Sequence, residues 1–209
     1  MMKKYLEQSS WINWQHPAIL VKAKLLSAGS TDKTEIARRC FEFVRDQIRH
    51  SWDYRQNPVT CVASDVLEYG TGYCYAKSHL LAALLRANGI PAGLCYQRLS
   101  KTGNGAPFCL HGLNAVWLEG HGWYRIDARG NKPGVDAQFC PPKEQLAFHP
   151  DQPDEADLLE VLLSPLPQVL QVLTRYATVE EVYQNLPDIP ITLDSADGVT
   201  PIRSDTRHL

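Results

Sequence analysis

The first strong pattern of apolar and polar positions lies in residues 31–50. Apolar residues recur there every three or four positions, which predicts an amphipathic helix. Asp32 and Glu35 precede the apolar stripe with the spacing of a capping box, in which side chains bind free backbone amides at a helix start. Cys40 lies within the stripe, so we expect it to fill space in the core.

A second helix is predicted over residues 74–88, where alanine and leucine dominate. Gly89 and Pro91 follow it, as is usual just after a helix end. Cys74 stands at the start of this helix, after a glycine-rich turn. Unpaired backbone N–H groups and the helix dipole stabilise negative charge at such a position. Because the thiolate is the reactive form of cysteine, the placement predicts a reactive thiol.

Alternation of apolar and polar positions predicts strands after the second helix. The first covers residues 92–99, and residues 111–128 have the pattern of a hairpin with a turn near residues 119–122. The fold class that follows is α+β, with the second helix packed on an antiparallel sheet.

The composition changes after residue 140. Prolines become frequent among acidic residues, and helical patterns follow at residues 167–176 and 178–186. We therefore divide the chain into a core, residues 1–140, and a Pro-rich helical C-terminal extension, residues 141–209. The extension is expected to pack on the core without being an independent domain, and its last twenty residues to form a loosely attached tail.

Composition and charge narrow the classes of function. The chain has 209 residues, of which 44% are apolar and 21% charged, with a net charge of −2, as in an ordinary globular protein. It has no basic cluster of the kind that binds phosphates, so nucleic acid is not an expected partner. We find neither a membrane-spanning stretch nor an apolar signal segment, and expect a cytoplasmic protein without membrane contact. The six cysteines are then expected to be free thiols.

A nucleophilic cysteine needs a base, and the base needs a partner that orients its ring. His111 begins the first strand of the predicted hairpin and Asp127 ends the second. Side chains share a face of paired strands only when they are opposite or displaced by an even number of positions. Residue 119 is midway in sequence between His111 and Asp127. The two side chains therefore share a face only if the hairpin has an odd-membered loop, such as Glu119–His121, or a bulge.

The other histidines are weaker candidates for the base. His79 lies about 140° from Cys74 around an ideal helix, so it faces away from the thiol. His121 is expected to be solvated in the turn. No partner is evident for His16, His50 or His149.

Three motifs resemble those of the transglutaminase-like superfamily. Residues 70–93, a glycine turn and cysteine followed by an Ala/Leu-rich helix, are similar to its cysteine motif. Residues 111–131 resemble its histidine and aspartate motifs, with the same separation of 16 between His111 and Asp127. The resemblance covers about residues 35–131, and the motifs occur in the family's order.

The resemblance implies a papain-like core in which Cys74 is the nucleophile, His111 the general base and acid, and Asp127 the residue that orients the imidazole. One departure concerns the strand after the histidine. Many members carry a tryptophan two residues later, whereas the aromatic residue here is Trp117. The triad is intact, so the departure bears on the shape of the acyl pocket.

The chemistry that the resemblance implies is acyl transfer through a thioester on Cys74. The backbone N–H of this residue is one donor for the oxyanion, and candidates for a second donor or for substrate contacts are Trp52, Tyr54 and Gln56. Peptide hydrolysis, side-chain amide hydrolysis and true cross-linking of glutamine to an amine share this machinery. We favour hydrolysis of a protein or peptide substrate, because water is the abundant nucleophile.

Two interpretations from other classes stay open. A metal site would rest on Cys109 and His111, a single close pair without a C-x-x-C motif, so we expect no metal and no cofactor. Cys109 would share a face of the strand with His111 only if the strand already includes residue 109. A catalytically silent binding module of the same fold would usually lack a triad residue, and all three are present. Faster alkylation of Cys74 than of the other cysteines would favour the enzyme.

Overall fold

The computed structural model describes residues 2–194 and 198–201 of the chain. Within them, a 3₁₀ turn at Met2–Leu6 precedes the helices α1 Pro17–Ser27, α2 Lys33–Gln47, α3 Ser51–Tyr54, α4 Ala63–Tyr69, α5 Cys74–Ala87, α6 Pro167–Arg175 and α7 Val179–Gln184. The strands are β1 Arg49–His50, β2 Thr71–Gly72, β3 Ala92–Ser100, β4 Phe108–Leu118, β5 Gly122–Ile126, β6 Gln138–Cys140, β7 Lys143–Gln145, β8 Ala156–Leu162, β9 Ile191–Asp194 and β10 Gly198–Pro201. None of the helices in these ranges is long and apolar enough for a bilayer span.

The central sheet is antiparallel and has the order β5-β4-β3-β8. Its long strands β3 and β4 pair over their whole common length, from Ala92 opposite Val116 to Ser100 opposite Phe108. Strand β8 comes from the region after residue 140, so this region contributes an outer strand of the sheet as well as the helices α6 and α7. The predicted α+β class is confirmed.

Helix α5 lies between the sheet and the helices α1, α2 and α4. Every residue from Cys74 to Arg86 is buried, because packing elements cover the helix on all sides. Its polar side chains bind backbone carbonyls: Lys77 donates to Ile48, His79 Nδ1 bonds to Cys61, and Arg86 donates to Ala92. His79 is therefore occupied away from the thiol, as the helical spacing predicted.

The predicted capping box of α2 is only half formed. An Asp32 carboxylate oxygen accepts from the Thr34 N–H at 2.9 Å, as an N-cap should. Glu35 instead pairs with Arg38 and Arg39, one turn further along the helix. Two arginines offer charge-assisted bonds, which outcompete a single backbone amide for the carboxylate.

Part of the predicted C-terminal tail has regular structure. Strands β9 and β10 pair antiparallel, with Asp194 opposite Gly198. The rest of the tail, residues 195–197 and 202–209, lies outside the described residues.

The hairpin of β4 and β5 has the predicted odd-membered loop. Leu118 pairs with Gly122, which leaves three residues, Glu119–His121, in the turn. This register places His111 and Asp127 on the same face of the sheet. The strand begins earlier than expected, at Phe108, so the prediction that His111 begins it is wrong. Pairing of Phe108 with Ser100 on β3 extends the strand in this direction.

Strands β4 and β5 separate at the end that carries the histidine. Their pairing stops at Asn114, so the N–H groups of Leu110 and Gly112 have no partner on β5. The carbonyl of Pro187 accepts from Leu110 at 2.7 Å, and Cys74 Sγ accepts from Gly112 at 3.4 Å. The start of α5 thus occupies the gap between the two strands.

Replacing Gly112 with alanine is expected to push the start of α5 out of this gap. An added Cβ would lie 2.9 Å from Cδ1 and 3.1 Å from Cα of Tyr75, and backbone atoms cannot yield as a flexible side chain can. We expect a loss of about 1–3 kcal/mol in the free energy of unfolding, measured by urea denaturation. Unchanged stability would contradict this account of the helix position.

Candidate active site

Cys74, His111 and Asp127 lie together at the N-terminus of α5. Nε2 of His111 is 2.7 Å from Oδ2 of Asp127, which leaves Nδ1 as the ring nitrogen available to Cys74, a neighbour whose charge acts on the imidazole. The relative exposure of Cys74 is 7%, that of His111 is 5%, and Asp127 is fully buried. The structure therefore brings together the three residues that the sequence motifs indicated.

Asp127 is held by more than the histidine. Its Oδ1 accepts from the backbone N–H of Arg129 and its Oδ2 from that of Ala147, both at 3.1 Å. Burial alone would raise the pKa of Asp127, but the charge of His111 and these hydrogen bonds lower it below its ordinary value. The residue is therefore a carboxylate. No sequence signal pointed to Ala147, because any residue type can supply a backbone amide.

The charge state of His111 follows from its two partners. Burial by itself would lower the pKa of the imidazole, but the charges of Asp127 and Cys74 and the hydrogen bond to Asp127 raise it to about 10. The ring of Phe148 packs edge-on against it, with 4.9 Å between ring centroids. His111 thus carries its proton at neutral pH, and an imidazolium beside a sulfur stabilises the thiolate form.

The raised pKa of His111 makes its contribution to stability depend on pH. A group whose pKa is higher in the folded state stabilises the fold fully below its unfolded pKa, here about 6.5, and this contribution is lost as the pH approaches about 10. The difference in unfolding free energy between wild type and His111→Asn should shrink over that interval. Urea denaturation at pH 6, 8 and 10 measures it, and a difference that grows with pH would contradict the assignment.

Cys74 and His111 both line a cavity of about 430 Å³. Trp52 also lines it and stacks on Tyr183, with 3.5 Å between ring centroids and 4° between planes. The guanidinium of Arg55 lies on Trp52, 3.1 Å from the ring centroid. One of the three predicted oxyanion or substrate candidates therefore faces the site.

The other two candidates lie away from the cavity. Tyr54 is 62% exposed, and Arg49 packs over its ring at 5.3 Å. The side-chain amide of Gln56 reaches the carbonyl of Tyr69 at 3.5 Å. Neither residue is among those that line the cavity.

Several residues of the cavity were not assigned to the site from the sequence. Cys109 shares the face of β4 that carries His111, because the strand begins before it, and it lines the cavity. Phe148, Tyr183 and Leu186 come from the region after residue 140. These residues are far from Cys74 in sequence, and no local sequence pattern links the two segments, so the sequence could not assign them to the site.

His50 lines the same cavity but is not suited to act as the base. Burial, and then the charge of Arg129, hold the pKa of His50 well below its ordinary value, so its ring is neutral. Its Nδ1 lies 3.7 Å from Oδ2 of Asp53. That carboxylate is already bound by Arg129 at 2.6 Å and by Lys132 at 2.8 Å.

The structure gives no support for a metal site at Cys109 and His111. In residues 2–194 and 198–201, no three His, Cys, Asp or Glu side chains are arranged to hold a metal ion. All six cysteines are free thiols, and Cys40 is buried in the core as predicted.

Solved structures align with parts of this chain at low sequence identity. A proposed cysteine protease from Cytophaga hutchinsonii aligns with a TM-score of 0.49 and 18% identity, over 61% of this chain and 42% of that one. The periplasmic domain of TgpA from Pseudomonas aeruginosa aligns with a TM-score of 0.44 and 18% identity, over 61% and 46%. Red sea bream transglutaminase aligns with a TM-score of 0.38 and 14% identity, over 96% and 34%. The chain spans less than half the length of each.

The sequence comparison identifies the family. No curated protein sequence matches the chain. The profile of the transglutaminase-like superfamily matches residues 22–128, just over half of the chain. This range contains the helix that carries Cys74 and the hairpin that carries His111 and Asp127. The chain therefore belongs to the transglutaminase-like superfamily.

Proposed function

We propose that the protein catalyses thiol-dependent acyl transfer on peptide or side-chain amides, with water as the usual acceptor. The observation that carries the proposal is that Cys74 and His111 line one cavity of substrate size, while His111 is hydrogen-bonded to the buried Asp127. A cysteine, a histidine and an orienting carboxylate are the parts that nucleophilic catalysis on a carbonyl requires.

In the first half-reaction, the Cys74 thiolate attacks the amide carbonyl carbon. The negative charge on the carbonyl oxygen is stabilised by the backbone N–H of Cys74 at the start of α5. Trp52 lines the cavity and is the remaining candidate for a second donor. His111 gives its proton to the nitrogen as the C–N bond breaks, so an amine leaves and a thioester remains.

In the second half-reaction, His111 is neutral and accepts a proton from water. The resulting hydroxide attacks the thioester carbonyl, the C–S bond breaks, and the acid leaves. Cys74 returns as a thiolate beside a protonated His111, the starting state. The Asp127 carboxylate, fixed by its two backbone donors, holds the ring in place and stabilises its charged form.

The mouth of the cavity favours hydrolysis over transfer to a second amine. His149, Asp151 and Gln152 line it and are exposed, so solvent has access to the thioester. Transfer to an amine in competition with water needs a site from which water is excluded.

A library of blocked peptides, incubated with a labelled alkyl amine, tests the proposal. Mass spectrometry distinguishes cleaved peptides, deamidated glutamines and labelled products, which correspond to the three possible outcomes. We expect cleaved or deamidated products with wild type and with Cys140→Ala, a variant of an exposed thiol, but not with Cys74→Ala. Identical product profiles for wild type and Cys74→Ala would overturn the proposal.

A further inference from the structure

Part of the wall of the cavity beside Cys74 is built by residues outside the family-matched segment. The profile ends at residue 128, whereas Phe148, Tyr183 and Leu186 are later in the chain and all line the cavity. Leu99 and Cys109, within the segment, also line it. The side chains that surround the nucleophile are therefore mainly apolar.

Three of the charged groups that face this cavity, Lys101, Arg129 and Glu155, are already bound to other parts of the protein, whereas Asp151 is exposed. Lys101 Nζ donates to the carbonyl of Tyr183 at 2.6 Å. Arg129 makes two hydrogen bonds to the Asp53 carboxylate. Glu155 accepts from backbone amides at distances of 2.7, 3.1 and 3.2 Å, including that of Ser100. The polar residues His149, Asp151 and Gln152 are exposed, whereas Leu99, Phe148 and Leu186 offer a substrate apolar contact.

The later segment is fixed to the core at several points around the cavity. The hydroxyl of Tyr73, the residue before the nucleophile, donates to the Val179 carbonyl at 2.5 Å. The side-chain oxygen of Asn57 accepts from the Val179 N–H at 2.9 Å. The Pro187 carbonyl accepts from Leu110 on β4. Leu186 lies between these anchors, so its position in the wall is well determined.

We propose that Tyr183 of α7 and Leu186, together with Phe148, form an acyl-side specificity pocket for an apolar side chain of leucine to phenylalanine size. The side chain belongs to the residue whose carbonyl Cys74 attacks, and Leu186 sets the depth of the pocket. The inference rests on the proposed function and adds to it the class of substrate. A pocket with fixed apolar walls discriminates by size and polarity, with about 10- to 200-fold effects for a methylene group.

Acetyl-amino acid chloromethyl ketones test the pocket without a known substrate, because they alkylate a thiol and carry a side chain on the acyl side. Rates at Cys74 and at the exposed Cys140 are measured by mass spectrometry for reagents with glycine, leucine, phenylalanine, aspartate and lysine side chains. We expect the leucine reagent to react with Cys74 at least about tenfold faster than the glycine or aspartate reagents. Cys140 should show no such preference.

A smaller and a larger residue at Leu186 test whether this side chain determines the size of the pocket. Loss of stability alone would not shift the reagent preference in opposite directions. Leu186→Ala should shift the preference towards phenylalanine, and Leu186→Trp should shift it towards glycine. Leu25, on α1 and 63% exposed, provides matched controls, since Leu25→Ala and Leu25→Trp should leave the preference as in wild type. Thermal unfolding verifies that each variant is folded.

The outcomes distinguish this inference from the proposed function. If Cys74 reacts with iodoacetamide no faster than Cys140, the proposed function fails and the pocket assignment fails with it. If Cys74 reacts faster but all five ketones alkylate it equally, or both Leu186 variants keep the wild-type preference, only the pocket assignment is overturned.

Discussion

Replacing Cys74 with alanine is expected to lower amide turnover by roughly 10⁶-fold, as loss of the nucleophile does in other covalent enzymes. The sulfur accepts the Gly112 N–H, and Cys74 and His111 line the same cavity. Cys109 lines the same cavity, but burial raises its pKa to about 12, so it is a poor substitute.

The measurement is kcat for a substrate found in the peptide library, compared among wild type, Cys74→Ala and Cys140→Ala. Cys140 is an exposed thiol, so its substitution should leave kcat within a factor of two or so of wild type. A Cys74→Ala enzyme with more than about a hundredth of the wild-type kcat would contradict covalent catalysis by this residue.

Replacing Asp127 with asparagine should reduce kcat by about 10⁴-fold, because a neutral amide neither stabilises the imidazolium nor fixes the ring orientation. Both carboxylate oxygens accept hydrogen bonds, Oδ1 from Arg129 and Oδ2 from His111 and Ala147. Asparagine has only one acceptor oxygen, so its NH₂ group must face another donor. At a fully buried position this mismatch costs about 1–3 kcal/mol of unfolding free energy.

Steady-state kinetics and urea denaturation measure the two effects on the same preparation. Asp136→Asn is the matched control, since Asp136 is an exposed carboxylate that accepts from side-chain amides and should change stability by less than about 0.5 kcal/mol. Full activity in Asp127→Asn would show that the carboxylate has no catalytic role, whatever its effect on stability.

The parts of the site that could be predicted depend on local spacing. The start of α5 at Cys74 follows from the glycine turn and the Ala/Leu-rich run, both within a few residues. The alignment of His111 with Asp127 follows from strand alternation and the length of one loop, and the loop of three residues satisfies it. These features need no knowledge of distant segments.

The parts that could not be predicted depend on distant segments or on backbone geometry. Tyr183 stacks on Trp52 across a separation in sequence that no periodicity reveals. The short helix α3 explains why Trp52 faces the cavity while Tyr54 does not. Residues two positions apart are about 200° apart around a helix, so they point in opposite directions.

Competitive alkylation by iodoacetamide at pH 6.5 tests most directly whether His111 activates the sulfur. An ordinary thiol is only about 1% ionised at this pH, whereas a thiolate paired with protonated His111 reacts without prior loss of a proton. We predict that Cys74 is labelled at least about tenfold faster than Cys140 in wild type, and that His111→Asn removes the difference. Equal labelling in wild type, or a difference that survives His111→Asn, would contradict the account.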